Sequence, residues 1–251
     1  MGSSFLGFPA QPSRQRVLAG GWVRAYDSLM GYSRDERLAL CALLDNVGPD
    51  APTLCEGWVT RDLAAHLVLR ERRPDAGVGI LGGPLASYTA RVQQRMEART
   101  PYRDLVDAVR TGPPRLSVWA VPGMEERAGL VEYFVHHEDV RRAAPGWEPR
   151  DISAGLSDAL WSRLRMTRLL LRRLPVGIEF ARDDRTGGDG GADENGGGFR
   201  MSVRQHPPVV TVIGSPAELT MWALGRTGTA RVRLEGTETA VSTLNRARWR
   251  L

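Results

Sequence analysis

Glu132 and His136 stand four residues apart inside Leu130-Val131-Glu132-Tyr133-Phe134-Val135-His136-His137-Glu138-Asp139-Val140. On a helix, that spacing directs both side chains off one face, a turn apart. A carboxylate and an imidazole held this way are two of the three protein ligands that an open, catalytic metal site uses. The chain has four histidines, so a third ligand is sought among few. His137 is turned by about 100° from His136 on the same helix, and His206 lies far downstream beside Pro207 and Pro208. His66, in Thr60-Arg61-Asp62-Leu63-Ala64-Ala65-His66-Leu67, is the best remaining candidate. The competing reading is a partly exposed helix face. Against it stand the apolar neighbours of all three residues, among which an unpartnered polar group is costly and a shared metal would satisfy each.

Two further stripes touch this set. Asp62, His66 and Arg70 recur at i, i+4 and i+8, so Arg70 is a candidate for holding a substrate carboxylate. The alternative for Arg70 is the solvated end of the Arg70-Glu71-Arg72-Arg73 run. Asp139 follows His136 by three and is placed to orient a ligand histidine through its second ring nitrogen. No other catalytic group is assigned.

The elements that must position these residues follow from periodicity. Ser33-Arg34-Asp35-Glu36 has the form of a capping box, predicting a helix from 33 to 46 with Leu38, Cys41 and Leu44 on one face. Thr60 is a plausible cap for a helix running toward Pro74. Helices are expected over 86–99 and 102–110, and a long one from Glu125 to Arg142. Short, proline-containing connections point to a four-helix bundle with its site between facing helices. After Pro145-Gly146-Trp147 the pattern changes to a helix at 154–173, strands at 175–180, 199–203 and 209–213, a helix capped by Ser215, a last strand near 231–234 and a short final helix. The fold class is therefore α+β: a helical bundle over 33–147 and a small α+β part over 148–251.

Residues 1–32 are expected to be a disordered leader or a mis-assigned start, with Met30 as the alternative initiation site. Thr186–Gly198, with seven glycines, is expected to be a flexible insertion. Gly77-Val78-Gly79-Ile80-Leu81-Gly82 matches a dinucleotide fingerprint in letters. It lacks the preceding strand, and is read as a loop.

Composition adds exclusions. The chain is 42% hydrophobic and 25% charged, as in ordinary globular proteins. Its net charge of +5 invites a nucleic-acid partner, but all 34 basic residues are arginine, and they are read as interleaved with 29 acids rather than gathered into a patch. No nucleic-acid or membrane partner is expected; a basic helix face lying on a partner is the residual alternative. Two cysteines, Cys41 on an apolar helix face and Cys55 in a loop, imply no disulfides and a cytoplasmic setting.

Leu54-Cys55-Glu56-Gly57-Trp58 followed by Arg61–Leu67 resembles a signature of actinobacterial mycothiol-dependent maleylpyruvate isomerase-like proteins, within the DinB-like metal-binding helical bundles. The Glu132-xxx-His136-xx-Asp139 run resembles their second signature. Val212–Leu219 with Trp222-Ala223-Leu224-Gly225-Arg226 is similar to their sterol-carrier-protein-like C-terminal domain. The resemblance spans about 33–245 and implies that His66, Glu132 and His136 bind a divalent metal, usually zinc (Zn2+). It further implies mycothiol as the thiol cofactor, an electrophilic small-molecule substrate, and isomerase or S-transferase activity. The alternative is a non-catalytic metal- or small-molecule-binding regulatory module. A monomer or small homo-oligomer is expected.

Overall fold

In the computed structural model, residues 14–73, 75, 85–114, 129–184, 199–247 and 249 are described, with side chains from residue 31 onward. Residues 1–13, the Gly77–Gly82 segment, the expected helix start at Glu125 and the glycine-rich 186–198 lie outside the described residues. Among the described residues five helices come first: α1 (Arg14–Val47), α2 (Thr60–Arg72), α3 (Ala86–Arg99), α4 (Tyr102–Thr111) and α5 (Leu130–Ala143). Helix α1 packs on α4 and α5, while α2 packs on α3 and α4. Their shared core comprises Leu40 and Leu44, Leu63 and Leu67, Leu105 and Val109, and Tyr133 and Val140. These residues recur at four- and seven-residue spacings, so each helix turns one apolar stripe inward. Each leucine so buried stabilises the fold by roughly 1.5–3 kcal/mol relative to exposure. Helix α3 meets α2 through Leu69 and Val92 and packs Met96 against the edge of this core.

Two expected helix starts are corrected. The backbone of α1 is helical from Arg14, and Ser33 and Glu36 lie buried within it. Glu36 is used elsewhere: it accepts from Arg150 Nη2 at 2.6 Å and lies 3.2 Å from His137 Nδ1. A Ser-x-x-Glu pattern can thus belong to tertiary ion pairing rather than to a helix end. Thr60 is the first residue of α2, not its cap. Val59 precedes it, the Val59 N–H donates to Asp62 Oδ2 at 2.8 Å, and the Thr60 hydroxyl donates to the Gly48 carbonyl.

The expected helix over 154–173 is broken. Helix α6 (Ala154–Arg163) gives way to a 3₁₀ turn at Leu164–Thr167 and a short α7 (Arg168–Leu171). Buried Thr167 donates its hydroxyl back to the Leu164 carbonyl at 2.6 Å, a local bond that competes with regular helix continuation. Strands β1 (Gly177–Arg182), β2 (Arg200–Arg204), β3 (Val209–Gly214) and β4 (Arg233–Glu235) form one sheet ordered β2-β1-β3-β4. The central β1–β3 pair is parallel, with Phe180 opposite Val212, and both outer pairings are antiparallel. Helices α8 (Pro216–Ala223) and α9 (Glu238–Arg246) complete the chain. Ile178, Phe180, Val210, Val212, Leu219 and Trp222 form the sheet core, closed by Leu164, Leu171 and Leu174. The architecture is mixed α+β. Phe134, Leu156, Leu160, Met221 and Leu224 join α5 to α6 and α8, bringing the turn after α8 against the first helices. Among the described residues no helix is long and apolar enough to cross a membrane.

Candidate metal centre and its cavity

Helix α2 carries His66 with Arg70 one turn on, and α5 carries Glu132, His136 and Asp139. The two faces meet. His66 Nε2 and His136 Nε2 each lie 3.4 Å from the same oxygen, Glu132 Oε1. The three donor atoms all fall within 4.8 Å of one another. The imidazoles are edge-to-face, with centroids 5.4 Å apart, and the Trp58 ring packs against His66 with centroids 5.1 Å apart. Arg70 Nε stands 3.5 Å from Glu132 Oε1. Its guanidinium therefore addresses the carboxylate of this chain, and Arg70 is not among the residues that line the adjoining cavity.

The other ring nitrogen of His136 faces Asp139, with Nδ1 2.9 Å from Oδ2. Asp139 is fully buried and receives a two-pronged contact from Arg226, whose Nε and Nη2 donate at 2.9 and 2.7 Å. Cys55 Sγ lies 3.3 Å from Asp139 Oδ2 and 3.5 Å from Arg226 Nη2. Cys55, His136 and Asp139 thus form a second group of convergent donor atoms. Backbone turns deliver these residues. At the end of α8, Gly225 (φ +87°) donates its N–H to the Trp222 carbonyl and Arg226 to the Met221 carbonyl. That paired closure needs a left-handed residue, which glycine adopts without penalty, and it turns Arg226 back toward α5. Gly57 (φ +79°) plays the same part between Cys55 and Trp58, whose N–H donates to the Cys55 carbonyl at 2.9 Å.

Charge states follow from these contacts. Burial, the largest influence on His66, pushes its pKa below the ordinary value, and Glu132 opposes that only in part. Burial also acts to lower His136, but its bonds to Asp139, Cys55 and Glu132 outweigh this and hold it well above the ordinary range. Burial alone would raise Glu132; the charge of Arg70 and the two imidazoles hold it well below instead. Asp139 behaves likewise: burial raises it, His136 and Arg226 outweigh that, and the carboxyl is held at about 2. These contacts bias Glu132 toward its ionised form, His66 toward its neutral form and His136 toward its protonated form.

The cluster opens on a cavity of about 710 Å³. Leu54, Trp58, Ala90, Val135 and Leu224 supply apolar wall; Thr89, Gln93 and Thr229 supply polar edges. Sequence reasoning brought His66, Glu132, His136 and Asp139 to notice and all four are neighbours here. It gave no role to Arg226 or to Cys55, although both lie within the runs that carry the resemblance. His137 points elsewhere, toward Glu36, as its angular offset requires.

On the opposite side of α5 the polar groups are arranged differently. Arg142 Nε donates to Glu138 at 2.7 Å, and its Nη1 and Nη2 donate to the two oxygens of Glu218 at 2.9 and 2.7 Å. Arg150 adds a bond to Glu138 at 2.8 Å. The Arg142 and Glu138 side chains are each only 1% exposed.

No family model matches the chain. No curated protein matches it either. Among solved structures, the crystal structure of a histidine-to-alanine mutant of the mycothiol-dependent maleylpyruvate isomerase is similar, with a TM-score of 0.48 and 15% identity. That likeness covers 84% of this chain and 92% of the other.

Proposed function

We propose that His66, Glu132 and His136 are the ligands of one divalent metal ion, zinc by donor type, in a mycothiol-dependent isomerase or S-transferase. In this reading, 33–147 is a DinB-like bundle and 148–251 a sterol-carrier-protein-like part, as the motifs resemble. One distance carries the metal assignment. Imidazole and carboxylate donors about 2.1 Å from a tetrahedral ion stand roughly 3.4 Å apart. Both histidine-to-Glu132 separations are 3.4 Å. As hydrogen bonds these would be long, since N–H···O distances centre near 2.9–3.0 Å. The donors suit a shared ion better than they suit each other.

The chain's own residues then have separable tasks. Asp139 accepts from His136 Nδ1 and so leaves Nε2 facing the other two donors. Arg226 fixes Asp139 through both carboxylate oxygens. Arg70 offsets the charge of Glu132 and keeps it ionised. Leu54, Trp58, Val135 and Leu224 give an electrophile a largely dry wall to lie against. When bound, the metal and the thiol together supply a thiolate at neutral pH, the nucleophile that both reaction types require.

Purified protein is expected to carry about one zinc ion per chain. His66→Ala and His136→Ala should each remain folded and lose it. Full metal retention in both variants would sink the assignment. Mycothiol should raise the melting temperature of the zinc-loaded protein and support conjugation of a generic electrophile. Zinc binding with no thiol effect would leave the non-catalytic metal-binding module as the reading.

A further inference from the structure

The chain's arginines are not evenly interleaved with acids. Residues 159–178 hold five arginines and no Asp or Glu, a charge of +5 that equals the net charge of the whole chain. The rest of the sequence sums to zero, so this acid-free stretch, which covers the 3₁₀ turn and α7, concentrates positive charge locally.

Its side chains divide into two arcs. Leu164, Thr167, Leu171 and Leu174 are buried, and the three leucines close the sheet core. At helical angles the remaining positions fan over the opposite side. Arg165, Met166, Arg168, Leu169, Arg172 and Arg173 are all exposed. Met166 and Leu169 are 57% and 63% exposed, the two most exposed large apolar side chains among the described residues. They lie three residues apart, hence on one outward ridge; at helical angles Arg173 falls between them, and Arg165, Arg172 and Arg168 follow on one side. The edge strand β2, which packs beside this segment, brings Arg204 next to Arg172 and contributes no acid.

We propose that this face docks on a membrane leaflet rich in anionic lipid headgroups. Charge complementarity points to an anionic surface, and the form of the ridge points to lipid. Two apolar side chains project outward with cationic side chains between and beside them, so they suit insertion among acyl chains while the guanidiniums stay at the phosphates. The short segment rests on the surface and crosses nothing. This assignment is independent of the metal centre.

The test is sedimentation of the full chain with vesicles of phosphatidylcholine alone or mixed with phosphatidylglycerol, at low and at raised salt. Binding should appear on the mixed vesicles and fall as salt rises. Arg165→Gln combined with Arg173→Gln should weaken it roughly tenfold or more. Met166→Ser combined with Leu169→Ser should remove the part that survives salt. All four positions are exposed, so both double variants should melt as the parent does; one that does not is replaced by its partner pair. Equal sedimentation on both vesicle types, or unchanged binding in both variants, would overturn the proposal. So would preferential binding of an oligonucleotide that ignores the Met166 and Leu169 changes, which would mark a polyanion site instead.

Discussion

Two polar clusters lie on successive turns of α5, and they are built in opposite ways. Around Arg142 the donors and acceptors saturate one another at 2.7–2.9 Å, and the charges are shut away from solvent. Around Glu132 three groups crowd on one oxygen at 3.4–3.5 Å, beside a cavity. The first arrangement is complete in itself: every short bond is made between parts of the chain, tying α5 to α8. The second has donor atoms converging on a common point at separations too long for good hydrogen bonds among themselves. Saturation suits a clamp; convergence without saturation is the feature on which the proposed metal site rests.

That contrast can be broken most directly at Arg142. Arg142→Met leaves Glu138 and Glu218 buried without their shared cation and should cost about 3–5 kcal/mol. Urea unfolding would measure it. Zinc per folded chain should not change, and a well-folded Arg142→Met protein lacking zinc would erase the distinction between the two clusters.

The next effect concerns acid. Asp139 is held at about 2 against an ordinary 3.8. A lowered carboxyl contributes stability that is present above its unfolded pKa and is lost as pH falls through the folded one. Roughly 2 kcal/mol should therefore disappear between about pH 4 and pH 2. Asp139→Asn should flatten the acid limb of the stability curve by that amount; an identical slope in the variant would show that Asp139 is not the group responsible. Zinc affinity should also rise with pH, because the proton held on His136 must leave before Nε2 can bind.

Gly225→Ala is the mildest. Holding alanine at a left-handed angle should cost about 1–2 kcal/mol. Zinc affinity should fall with it as Arg226 loses its aim. Unchanged affinity would sharpen the comparison by showing that three ligands alone set the site.

What the sequence discloses depends on how local the geometry is. Glu132, His136 and Asp139 lie within two turns of one helix, so their spacing alone predicts a common face. His66 could be reached because histidine is scarce here. Arg226 could not: it is one basic residue among 34, and it meets Asp139 across 87 positions through the packing of α8 on α5. The same limit produced the misread helix start at Ser33, since nothing near Glu36 in sequence announces Arg150 or His137. The break at Leu164–Thr167 was hidden for a different reason: its leucine spacing continues unaltered through the turn while one threonine hydroxyl bends the backbone.

The reach of Arg226 has a consequence for anyone moving this centre to another scaffold. Grafting α2 and α5 onto a foreign bundle would transplant every donor atom, yet leave His136 free to swivel and Asp139 a bare buried anion. The portable unit is larger than the three proposed ligands: it includes a glycine turn from the far end of the chain, and a designer who omits it inherits the parts without the assembly.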